Sequence, residues 1–203
     1  MAEASLHITG SCIIQENAIY RNGQQVLNVP DADMNTFLLS AYQQLELNYP
    51  KFYKMDNLSK LGWLASEVLL KDKLLLQIYQ PEGVGLLLSN RNSSLDADVK
   101  YWASVHDFAS PSLFVYTLPN IVTGEICIRN GFKGENAFYI TEGFNADFIH
   151  KQVAYLMNND ILQVCICGWV DVIGEEYKAA LFLVEKDKEG AVFTDEALER
   201  AFK

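Results

Sequence analysis

The residue types that could do chemistry concentrate in one stretch, Gly131 to Asn145, GFKGENAFYITEGFN. A glycine-flanked turn leads into a strand from Asn136 to Thr141, then a tight Glu142-Gly143 elbow and a helix opening at Phe144. An elbow residue of this kind sits at a helix N-terminus. Unpaired backbone N–H groups and the helix dipole favour negative charge there, which is how enzymes hold a thiolate or an oxyanion. Gly143 brings no side chain to that position. Glu142 brings a carboxylate, with two readings. It is a general base or a stand-in for a bound anion, or it is a favourable charge near a helix N-terminus worth about 0.3–1 kcal/mol. The second asks nothing beyond the fold and is preferred.

Other reactive side chains do not assemble in the sequence. Cys165 and Cys167 alternate within ILQVCICGWV and share one face of a strand, while Cys12 and Cys127 lie far from them. Free cysteine is among the most buried residue types, so reduced core thiols are expected. His7, His106 and His150 are scattered, and no metal motif or cofactor fingerprint is legible. Lys51, Lys54 and Lys60, and the pair Lys71 and Lys73, form local basic clusters, and a solvated face is their simpler reading.

Composition narrows the classes of function. Half of the 203 residues are hydrophobic, about a fifth are charged, and the formal net charge is −10. That balance fits a globular chain with a sizeable core. It argues against nucleic acid and against an anionic membrane surface, since no basic stripe offsets phosphate charge. The apolar runs are strand-sized, too short to span a bilayer. MAEASLHITG lacks a basic leader and an apolar core, so a cytoplasmic location is expected.

The elements that must position the elbow follow in order. Leu6 to Ile14 reads as a buried strand, and Asn22-Gly23 marks a hairpin within Ala18 to Leu27. Asp31 to Leu47 is a helix capped by Asp33, and Asp56 to Leu70 a second helix. Gly83 to Ser89 is wholly apolar, a strand covered on both sides. Ser94 to Val105 is helical, Pro111 to Leu118 a loop, and Asn120 to Ile128 a helix. After the helix that runs from Phe144 to about Asn158 come two strands, Ile161 to Val172 and Ala179 to Glu185. The short turn Gly174-Glu175-Glu176 makes them antiparallel neighbours, and Thr194 caps a last helix. Strands alternating with helices imply a three-layer α/β/α sandwich, read here as one domain over residues 1–203.

Specific residues then suggest a family. HITGSCII, DNLSKLGWLASEVL, VGLLLSN, SPSLFVYTLPNIVTGEICIRNGFKGENAFYIT, VCICGWVDV and AALFLVE resemble, in order, the N-terminal half of β-ketoacyl synthases, the condensing enzymes with the thiolase fold. The resemblance covers about residues 6 to 186. It implies a mixed five-stranded sheet ordered 3-2-1-4-5 with the last strand antiparallel. It also implies a nucleophilic cysteine at the elbow, yet aligning Gly134 and Thr141 with the family pattern puts Gly143 there. Thr141, Glu142, Phe144 and Asn145 are not thiols either, so no small shift of register restores the nucleophile. The family's decarboxylating His/His or His/Asn pair lies in a second, homologous half that these residues do not include.

The resemblance therefore implies a degenerate condensing-enzyme half, a non-catalytic partner of an active ketosynthase much as chain length factors are. The alternatives are an acyl-thioester enzyme that uses the elbow N–H groups as an oxyanion hole, or a stand-alone acyl- or anion-binding module. Condensing enzymes pair the elbow strand across their two-fold axis. A homodimer or a heterodimer with a ketosynthase is thus expected through Ala137, Phe138, Tyr139, Ile140 and Thr141, an apolar sheet edge. An acyl carrier protein is a further implied partner, although carriers are acidic and so is this chain. In the family the helix after the elbow is apolar around most of its girth. Here Phe144, Phe148, Ile149, Val153, Leu156 and Met157 form one apolar face opposed by Asp147, His150, Lys151 and Asn158, so one side is expected to be solvated.

Overall fold

A computed structural model describes residues 5–106 and 109–203. Its strands are β1 (Leu6–Gln15), β2 (Ala18–Arg21), β3 (Gln24–Asn28), β4 (Val84–Asn90), β5 (Asn136–Ile140), β6 (Val164–Ile173), β7 (Glu176–Lys186) and β8 (Ala191–Val192). The helices are α1 (Met34–Gln44), α2 (Asn57–Leu69), α3 (Leu95–Val105), α4 (Pro111–Val115), α5 (Ile121–Asn130), α6 (Ala146–Asn158) and α7 (Asp195–Phe202). These strands join one mixed sheet in the order β3-β2-β1-β7-β6-β4-β5, with β8 also on β1. β4 runs parallel to β5 and β6, while β7 is antiparallel to both β6 and β1.

The α/β sandwich with an antiparallel last strand is as expected, but the position of the first strand is not. The five core strands lie in the order third, second, fourth, fifth, first, rather than 3-2-1-4-5. The reason is a shortage of edges on β1. Its hairpin partner β2 takes one side, from Cys12↔Arg21 to Gln15↔Ala18. The remaining side pairs with β7 from Leu6↔Lys186 to Ile14↔Ala179, so β1 cannot also separate β4 from β6. The β2–β3 hairpin and β8 bring the sheet to eight strands rather than five.

The sheet is covered on both faces. One core unites α1, α2 and α5 with residues such as Cys12, Ile14, Leu86, Leu88, Ile166 and Leu181. The other unites α6 and α7 with Leu87, Cys165, Cys167, Trp169, Phe182 and Val184. Cys165 and Cys167 thus share a face, as their alternation requires. β4 is buried along its whole length, which explains its apolar run from Val84 to Leu88. At Gly168, φ is +145° and a Cβ would lie 1.9 Å from the Ala180 carbonyl oxygen, so only glycine permits β6 and β7 to pair this closely.

The helix caps follow from sequence. Asp33 Oδ1 accepts the Thr36 N–H at 3.0 Å and Asp56 Oδ1 the Ser59 N–H at 2.9 Å. One expectation is adjusted. The Pro111 to Leu118 loop contains the short helix α4, opened by Pro111 at its first position and capped by Ser110. α3 turns polar residues inward: Asp96 is 8% exposed and accepts the Gly174 N–H at 3.1 Å, while Trp102 is 67% exposed.

Candidate functional site at the end of strand β5

β5 is an edge strand, paired on its β4 side from Leu86↔Asn136 to Asn90↔Ile140. Thr141 lies just beyond the strand but extends the ladder, donating its N–H to Asn90 O at 2.9 Å. Phe138 packs into the core beneath α2 and α5. Tyr139 packs into the opposite core, its ring 4.8 Å from that of Phe148 at 85°. Ala137 is half-buried, and Ile140 is exposed. Among the described residues the outer backbone of β5 has no partner strand, as the edge reading required.

The elbow is looser than the sequence suggests. α6 begins at Ala146 and not at Phe144, because Asn145 is the N-cap and its Oδ1 accepts the Phe148 N–H at 2.9 Å. Gly143 therefore stands two residues before the cap, outside the first helical turn. Thr141 Oγ1 donates to the Gly143 carbonyl at 2.9 Å and ties the loop across itself. Gly143 has no left-handed φ, and a Cβ built there meets nothing within 4 Å. The position has room for a cysteine and holds none.

Charge around the loop opposes an anion. An open depression lined by residues 140–147 and Glu199 carries three carboxylates, Glu142, Asp147 and Glu199. Glu142 and Gly143 are exposed. Asp147 also pairs with Lys151 at 2.8 Å, so the helix field is answered locally by the chain's own groups. Beneath the loop, Phe144 stacks on Phe202 with ring centroids 4.3 Å apart and 14° between planes. Trp169 lies 6.4 Å and Phe182 6.3 Å from Phe144. Helix α6 is amphipathic as expected, burying Ala146, Ile149, Val153 and Met157 while Asp147, Lys151 and Asn158 face out. His150, expected on the polar face, is instead half-buried with its ring 5.0 Å from that of Phe193. The cover on its apolar side includes α7, which lies beyond the residues that resemble the family.

No thiol on another element takes the nucleophile's place. Burial pushes the Cys12 and Cys167 thiols well above the ordinary range. Burial, and then the nearby Cys167, does the same to Cys165, and burial pushes Cys127 up to about 11. All four are free, Cys127 half-buried and the others buried, and a protonated buried thiol is a poor nucleophile. Among the described residues no group of three or more His, Cys, Asp or Glu is placed to hold a metal ion, and no helix is long and apolar enough to cross a membrane.

The lysine clusters dissolve into pairs. Lys51 Nζ lies 2.8 Å from Glu125 Oε2 and Lys73 Nζ 3.7 Å from Glu185 Oε2. Lys60 lies over the Phe52 ring at 5.9 Å, and burial lowers its pKa. Lys54 and Lys71 remain exposed.

Two polar networks escaped the sequence reading. At the elbow end of the sheet, the Asp171 carboxylate accepts the Arg91 N–H at 3.2 Å, the Asn92 N–H at 3.0 Å and Asn92 Nδ2 at 2.7 Å, fixing the loop after β4. At the opposite end, buried Glu185 accepts from Tyr79 OH at 2.7 Å and from the Thr9 hydroxyl. Burial, then the bond to Glu185, raises the Tyr79 pKa. Their only sequence signal is an acidic residue inside an apolar strand.

No family model matches the chain, and no curated protein matches it. Solved structures do. The ishigamide ketosynthase/chain length factor aligns with a TM-score of 0.66 at 16% identity, over 93% of this chain and 64% of that one. A type II polyketide synthase acyl-carrier protein complex with its hexaketide-bound ketosynthase gives 0.59 at 16%, over 98% and 66%. The ketosynthase complex with its chain length factor from Xenorhabdus doucetiae gives 0.54 at 13%, over 92% and 80%. The chain thus spans just under two thirds of the first two. At these identities the likeness is one of architecture: the chain has the fold of ketosynthases and chain length factors, the thiolase-like fold expected from its sequence.

Proposed function

We propose that the chain is a non-catalytic partner of a ketosynthase-fold protein, joined to it through the outer side of β5. The observation that carries this reading is a partly apolar edge strand, unpaired among the described residues, leading into an elbow with space for a thiol and none present. An edge of this kind associates unless it is paired or protected. Helix α3 supports the same reading. Its outward residues Leu95, Val99 and Trp102 join Phe114, Val115 and Leu118 around α4 in an exposed apolar surface. Hydrogen bonds link that surface to the edge: Thr141 to Asn90, Ser93 to Asn90, and Ser94 Oγ to Thr117 O at 2.8 Å. The neighbours described as ketosynthases with their chain length factors fit such a pairing.

The partner is a second chain of this fold in preference to an acyl carrier protein, because a net charge of −10 repels an acidic carrier. The degenerate elbow makes the chain a scaffold or a shaper of its partner's site. Affinity capture from the native host with intact-mass analysis tests this. A ketosynthase-fold partner in about 1:1 ratio is expected, and it is lost from the Ile140→Lys variant. Sedimentation as a monomer at micromolar concentration, with no such protein captured, would overturn the proposal.

A further inference from the structure

Ligands of open α/β sheets bind at the carboxyl ends of parallel strands. In this chain that end of β6 is filled by the protein itself. Trp169 and Phe182 form the floor, Phe144 the wall toward the elbow, and Phe202 of α7 lies beside Phe144 and Trp169. The Phe202 ring is 6.3 Å from Trp169 at 82°, and Lys178 Nζ sits 4.1 Å from its centroid. Trp169 and Phe182 are buried, whereas Phe144 and Phe202 are only half-buried, so the upper pair is the solvent side of the cluster, and α7 is anchored by the fully buried Leu198. The same two upper elements border the open depression at the elbow, through Phe144 and Glu199.

We propose that Phe202 is a displaceable plug in a binding slot for a flat, uncharged apolar group, and that displacing α7 joins the slot to the depression beside Gly143. A ring already seated face to face on Phe144 defines the shape of the occupant. Charge of either sign meets a like group there: Glu142 and Glu199 stand at the rim against an anion, and Lys178 Nζ, 4.1 Å from the ring centre, stands against a cation. The proposal goes beyond the partner reading and holds for the isolated chain.

The test uses the full chain and the uncharged fluorophore N-phenyl-1-naphthylamine. Phe202→Ala is expected to bind it at least tenfold more tightly than the unaltered protein, with one site per chain. The anionic relative 1-anilinonaphthalene-8-sulfonate is expected to bind that variant at least threefold more weakly than the uncharged dye. Because Phe202→Ala could also loosen the fold, hydrogen exchange on the unaltered protein supplies a second readout. Saturating dye is expected to speed exchange at residues 195–202 at least threefold while β6 and β7 stay protected. Equal dye binding by both proteins overturns the plug. Unchanged exchange in α7 overturns it even where the variant is poorly folded, and equal affinity for the two dyes overturns the assigned charge. None of these readouts involves a ketosynthase, so failure here and failure of the partner reading are separable.

Discussion

Gly143 shows why a missing side chain and a missing environment are different losses. An added Cβ meets nothing within 4 Å, so Gly143→Cys should fold with stability within about 0.5 kcal/mol of the parent. The new thiol would nevertheless be unactivated. It stands two residues before the Asn145 cap, and Glu142, Asp147 and Glu199 raise a thiol pKa rather than lower it. Alkylation of this variant should therefore follow a pKa at or above about 8.5, the ordinary thiol value. Incubation with acyl thioesters should leave its intact mass unchanged. A measured thiol pKa below about 7, the range of activated thiols, or a stable acyl adduct, would mean that the elbow still activates a nucleophile.

At the scale of elements, α2 is the helix that the sandwich is packed around. It is buried on nearly every side, and Gly62 lets α5 approach it: a Cβ there would lie 2.4 Å from Val122 Cγ2 and 3.3 Å from Val170 Cγ1. Helix propensity alone favours alanine over glycine by about 1 kcal/mol. Overpacking of a filled core opposes it by about 1–3 kcal/mol, and two valines held by a helix and a strand leave little room to yield. Gly62→Ala should thus destabilise the protein to urea by about 1–2 kcal/mol, and Val122→Ala should recover part of that loss in the double variant. A neutral or stabilising Gly62→Ala would show that α2 and α5 shift apart freely. The same helix illustrates what was legible. Asp33 and Asp56 announce α1 and α2 because a cap is a local chemical event, whereas Gly62 gives no hint of its neighbours in α5 and β6.

For the molecule as a whole, the buried ionisable groups set the response to alkali. Burial raises the pKa of Cys12, Cys165 and Cys167, pushes Cys127 up to about 11, and raises Tyr79, Tyr116, Tyr139 and Tyr177. In each case the unfolded chain gives up its proton first. Stability from these groups is therefore complete below the unfolded values, about 8.5 for thiols and 10 for tyrosines, and falls as pH rises toward the folded ones. Thermal denaturation should show a midpoint at about pH 10 lower than at about pH 7.5 by more than about 4 °C, the shift that 1–2 kcal/mol produces in a chain of this size. A constant midpoint up to about pH 10.5, well past the unfolded thiol value, would contradict the burial of these thiols.

Periodicity, caps and turn residues specify most strands and helices here, because each depends on contacts within a few residues. The apolar run of β4 indicates its burial on both faces, and the glycine at the elbow shows that no thiol stands there. Sheet order lies outside that reach. It depends on which strand has a free edge after the β1–β2 hairpin closes, and the strands concerned are similarly apolar in sequence. The orientation of α3 is likewise a tertiary outcome: Leu95, Val99 and Trp102 face outward while Asp96 is bonded to Gly174 inside the fold. Sequence alone determined that the elbow at Gly143 has no thiol. Only the packed structure decided that the loop lies outside the helix turn, ringed by carboxylates and floored by Phe144 and Phe202. The reason is distance along the chain: Glu199 and Phe202 belong to α7, the last helix, and only folding brings them beside a loop that ends at Asn145.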